Sequence, residues 1–86
     1  MAIIKTITTE RGVIYPDQYC RVDIVRANKT EISFDVGIYF DEQTARNGMP
    51  PHRTETFGGQ YDLLGDNPWV QAYGIIKQHW PDAVDA

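Results

Sequence analysis

The feature that most constrains this chain is a run of strict alternation, Glu31-Ile32-Ser33-Phe34-Asp35-Val36-Gly37-Ile38-Tyr39-Phe40. Side chains along a strand point to opposite faces in turn. Ile32, Phe34, Val36, Ile38 and Phe40 therefore fall on one face, and Glu31, Ser33, Asp35, Gly37 and Tyr39 on the other. Such a segment is a half-buried antiparallel strand that needs a second layer over its apolar side. Upstream, Gln18 to Arg26 repeats the pattern, with Cys20, Val22 and Ile24 inward and Tyr19, Arg21, Asp23 and Val25 outward. The joining Ala27-Asn28-Lys29-Thr30 contains a residue that tolerates left-handed backbone, so the two runs predict a hairpin.

The covering layer is predicted near the C-terminus. Asn67 is a helix cap, and Pro68 suits a first helical position because its missing N–H would have no intrahelical partner. Trp69, Ala72, Tyr73, Ile76 and Trp80 then recur at helical spacing as one apolar stripe. Pro81 ends the helix, leaving Asp82 to Ala86 as a short acidic tail. Gly74 lies off the stripe, and its cost of about 1 kcal/mol relative to Ala points to close approach by another group. Ala2 to Thr9, rich in Ile and Thr, predicts an N-terminal strand. It is expected at a sheet edge guarded by Lys5, ending in the turn Glu10-Arg11-Gly12. Val13-Ile14-Tyr15 follows, with Pro16-Asp17 as a breaker. Asp41 to Pro51 reads as a long surface loop with room for one helical turn. Arg53 to Phe57 resumes extended chemistry until Gly58-Gly59 stops it. The expected fold is α+β, one domain over residues 1–86, with an antiparallel β-meander of about four strands and one C-terminal α-helix on its apolar face.

Eighty-six residues allow one compact core and no more. The net charge of −4 is uneven. Basic and acidic residues balance through Arg53, whereas from Thr54 onward only Lys77 opposes Glu55, Asp62, Asp66, Asp82 and Asp85. A phosphate backbone would be repelled from that end, and no basic cluster exists to attract one, so nucleic acid is not an expected partner. No apolar run has the length of a membrane span or a signal peptide, so neither membrane binding nor export by that route is expected. A single cysteine, Cys20, cannot make an internal disulfide and fits a reducing compartment.

Chemistry is sparse. His52 and His79 lack the spacing of a zinc site. Cys20 shares the apolar phase of its strand with Val22 and Ile24, which fits an inert buried thiol better than a nucleophile. Asp23 and Asp35, facing each other across the hairpin, read as a solvated polar face beside Arg21 and Arg26. Gly58-Gly59 is not part of a phosphate loop. No catalytic, metal or cofactor residue is therefore assigned, and the chain is read as non-enzymatic. Tyr19 and Tyr39, on outward strand phases, and Tyr61 with Leu63 and Leu64, before the helix, are instead candidates for a protein interface.

Ile7-Thr8-Thr9-Glu10-Arg11-Gly12-Val13, Val36-Gly37-Ile38-Tyr39-Phe40-Asp41-Glu42 with Ala45-Arg46, Asn67-Pro68-Trp69-Val70-Gln71-Ala72-Tyr73, Ile75-Ile76-Lys77 and Asp82-Ala83-Val84-Asp85 together span nearly the whole chain. In these segments the sequence resembles short structural proteins of tailed bacteriophages and prophages. The resemblance implies a virion component of the tail, baseplate or fibre region. Such a protein would contact other phage structural proteins or copies of itself, and would be found in the virion and, during assembly, in the host cytoplasm. It transfers no catalytic residue. The alternative is a small phage-encoded inhibitor of a host enzyme or defence complex, motivated by the acidic last third.

Overall fold

A computed structural model describes residues 2–86. Its elements are β1 (Ile3–Thr8), β2 (Ile14–Ala27), β3 (Glu31–Tyr39), α1 (Glu42–Arg46), β4 (Arg53–Gln60), α2 (Pro68–His79) and β5 (Val84–Asp85). The five strands form one antiparallel sheet in the order β4-β3-β2-β1-β5. The fold is thus α+β, with α2 across one face of the sheet. Ile32, Phe34, Val36 and Ile38 are buried as the alternation demands, and they share a core with Ile3, Ile7, Cys20, Val22, Ala72, Tyr73 and Ile76. Helix α2 starts as its sequence predicts: the Asn67 side chain accepts from the Val70 N–H at 3.0 Å, with Pro68 as the first helical residue.

Several expectations are corrected. The fifth strand lies in the acidic tail, where Asp85 and Val84 pair with Ile3 and Ile4. Lys5–Asp82 and Lys77–Asp85 ion pairs hold that tail down. Strand β1 is therefore not an edge along its first residues, and Lys5 serves the Asp82 pair and lies 5.6 Å from the Trp80 ring centre. Pro16-Asp17 does not break β2. Asp17 adopts φ 50°, and the register against β1 slips there, between Lys5↔Gln18 and Ile7↔Tyr15, so the strand absorbs the extra residue as a bulge. A second slip between Val22 and Ile24 makes Asp23 the extra residue against β3. The phase of β2 reverses there. Ile24, expected inward, is exposed, while Val25 packs against the core.

The Asp41 to Pro51 stretch holds α1, whose cap Asp41 accepts from the Thr44 N–H at 2.7 Å. Gly58-Gly59 does not stop β4, which runs on to Gln60. A Cβ at Gly59 would stand 3.0 Å from Ile75 Cδ1, so the absent side chain there lets α2 lie close to the strand. No such approach exists at Gly74, around which there is open space. Phe40 and Trp69 were expected in the core but are 54% and 46% exposed. Phe40 lies past the end of β3, and Trp69 sits in the first turn of α2.

Candidate protein-interaction surface

Tyr19 and Tyr39 are direct cross-strand neighbours on the sheet face opposite the core strand residues. Of the two, Tyr39 is buried, which corrects its expected exposure. Its hydroxyl donates to Asp23 Oδ2 at 2.6 Å, and Arg21 donates to both Asp23 (2.7 Å) and the Tyr39 oxygen (3.1 Å). The guanidinium also lies 5.0 Å from the Tyr39 ring centre. Burial, and the bond to Asp23 after it, push the Tyr39 phenol above its ordinary range. This closed set occupies the space over Gly37, where a Cβ would run into the Asp23 carboxylate. Bulging takes Asp23 out of register with Asp35, which instead pairs with Arg26 at 3.0 Å and accepts from the Thr56 hydroxyl at 2.9 Å. The two carboxylates thus have separate cationic partners, and no acid–base dyad forms.

At the other face, Gln18 is a buried polar residue with both ends of its amide satisfied. Its nitrogen donates to the Pro16 carbonyl at 2.9 Å, so its oxygen faces His52 Nε2 at 2.7 Å, and that ring nitrogen carries the proton. The imidazole stacks on Phe40 with ring centres 4.1 Å apart, and Tyr15 lies beside both. Desolvation, with Arg53 nearby, holds His52 below the ordinary histidine range. Cys20 is fully buried, and burial pushes its thiol up to about 12, which makes it a poor nucleophile at neutral pH. His79 ends α2, 5.0 Å from Phe57. Among the described residues no group of three His, Cys, Asp or Glu side chains gathers as a metal site would require.

The exposed apolar surface concentrates where the chain enters α2. Leu64 is 95% exposed and Leu63 59%, followed by Trp69 and Val70 in the first helical turn. Tyr61 is half-buried and packs against the core. The backbone that carries the two leucines is hydrogen-bonded to α2. Gln71 accepts from the Asp62 N–H at 2.9 Å and donates to the Asp62 carbonyl at 2.8 Å and the Asp66 carbonyl at 2.5 Å. Asp62 in turn caps the Leu64 N–H at 3.0 Å. A solvent-facing leucine pair on a loop whose backbone is ordered by four hydrogen bonds is a candidate contact surface. Of the five residues singled out from sequence, the structure leaves Leu63 and Leu64 exposed in this surface, Tyr61 half-buried beside it, Tyr19 half-exposed on the far face, and Tyr39 inside. Trp69 was missed because its spacing fits the helical stripe. Burial along that stripe begins only at Ala72, beyond the first turn that carries Trp69.

Comparison with known proteins gives no family model that matches, no curated protein that matches and no solved structure that matches.

Proposed function

We propose that this chain is a non-catalytic protein-binding module of the tail, baseplate or fibre region of a tailed bacteriophage, working through contacts with other structural subunits. The observation that carries the protein-binding part is the exposure of Leu63, Leu64, Trp69 and Val70 on and beside a hydrogen-bonded loop at the entry to α2. Exposed apolar side chains that cluster into a contiguous patch are a common mark of a protein-interaction site. The phage assignment is supported by the sequence segments described above. In the alternative, inhibitory reading, an acidic face imitates nucleic acid. The distribution of charge favours it less, since Asp82 and Asp85 are paired with Lys5 and Lys77.

The test is the protein content of purified particles from a phage or induced prophage that encodes the chain. Wild-type chain is expected at a stoichiometry set by particle symmetry, and a Leu63→Asp/Leu64→Asp variant is expected to fold but to be absent. Absence of the wild-type chain from both particles and assembly intermediates would contradict the assignment. Tyr39→Asp is unsuitable here, because it places a second carboxylate against Asp23 and is expected to unfold the sheet locally.

A further inference from the structure

The sheet ends on one side in β5, a strand of only two residues, and on the other in β4, which has eight. Natural edge strands are blunted by brevity, bulges, prolines or lysines. Strand β4 is not short, bulged or interrupted by proline or lysine, and its two charged side chains, Arg53 and Glu55, pair with each other at 2.9 Å; its register against β3 is unbroken from Ile38↔Arg53 to Glu31↔Gln60, whereas β1–β2 and β2–β3 both slip. Immediately beyond it the Tyr61 N–H donates to the Thr30 carbonyl at 3.0 Å. Since hydrogen-bonded and non-hydrogen-bonded pairs alternate, Arg53, Glu55, Phe57 and Gly59 direct their main-chain groups to β3. The main-chain groups of Thr54, Thr56, Gly58 and Gln60 are then left facing outward.

We propose that this edge pairs antiparallel with β4 of a second copy of the chain, joining two sheets into one. The self-complementarity of the strand points to a second copy as the occupant. The molecule carries −4, yet β4 holds one cation and one anion, Arg53 and Glu55, so two copies meet along a neutral edge. Two registers keep outward-facing groups opposite each other and align all but one residue of the strand. Centring on Thr56 sets threonine against threonine and Glu55 against Phe57. Centring on Phe57 sets the aromatic rings against each other and Glu55 against Gly59. Neither opposes like charges, whereas centring on Glu55 would set two carboxylates face to face. The Leu63-Leu64 surface follows directly from the Gln60 end of β4 in the chain. This inference deepens the protein-binding reading by naming one partner, and it is tested on the isolated chain so that the virion assignment can fail separately.

Sedimentation of the pure protein from micromolar to millimolar concentration, together with amide exchange by NMR, decides it. The mass is expected to rise from 9.8 kDa toward twice that value, with slowed exchange at Thr54, Thr56 and Gly58. Thr56→Pro removes an outward N–H while sparing the ladder to β3, and Thr56→Lys charges the same edge without altering the backbone. Each is expected to weaken dimerisation about tenfold or more, with unchanged circular dichroism for at least the lysine variant. A strict monomer at millimolar concentration, a dimer that leaves these amides unprotected, or a folded Thr56→Lys protein that dimerises like wild type would overturn the proposal.

Discussion

A methyl group at Gly37 would meet a carboxylate that is already committed, because Asp23 is held by both Arg21 and the Tyr39 hydroxyl. Moving it aside loosens those bonds, so Gly37→Ala is expected to cost about 1 to 3 kcal/mol in chemical denaturation. Tyr39→Phe, which deletes only the hydroxyl, is expected to cost about 0.5 to 1.5 kcal/mol. Equal stability of Gly37→Ala and wild type would show that the Asp23 cluster is not formed in solution. His52 gives a pH signature. Its folded-state value lies below the ordinary 6.5, so the folded protein favours the neutral ring. Its contribution is therefore complete above that pH and is lost as pH falls from about 6.5 through the lower folded value. The lowered carboxylates Glu10, Asp41 and Asp82 add their own losses, starting from their ordinary values of 4.5 and 3.8. His52→Gln should flatten the upper part of the profile, measured as Tm against pH, and leave the acid limb in place.

Among the elements, β3 and α2 were legible because each carries a strong period. The 2.0-residue alternation identifies Ile32, Phe34, Val36 and Ile38, and the cap Asn67 with Pro68 identifies where the helix begins. What was not legible were the interruptions. The bulges at Asp17 and Asp23 each insert one residue and reverse the phase beyond it. Periodicity read straight through therefore placed Ile24 inward and Val25 outward. Nor does a two-residue strand such as β5 carry any period of its own; it pairs with β1 through its backbone, flanked by ion pairs from Lys5 in β1 and Lys77 in α2. The same distinction between phase and actual cover sets two expectations for stability. Phe34→Ala removes a wholly buried ring and should cost about 3 to 5 kcal/mol. Phe40→Ala, in the same phase but past the strand end, should cost about 1 kcal/mol, mostly through the lost His52 stack. A comparable loss at both positions in urea titrations would mean that Phe40 is covered in solution.

For the whole molecule, the helix covers one face while β4 remains open at the edge and the Leu63-Leu64 turn remains open at the entry to α2. The radius of gyration of 13.1 Å, against roughly 12 Å for a compact chain of this length, reflects an elongated body of 38 × 27 × 20 Å. Of the interaction surface, the sequence made Leu63 and Leu64 legible because they stand outside any periodic element. It did not reveal the burial of Tyr39, which depends on a bulged neighbour, or the open β4 edge, which depends on strand order. The most direct measurement is hydrogen–deuterium exchange on the free chain and on the chain in its assembled state. Protection gained on assembly is predicted to concentrate in residues 53–70, alternating along β4 and continuous over the Leu63-Leu64 turn. Protection confined to the Tyr19 face or the 41–51 segment, or no gain at all, would contradict the account.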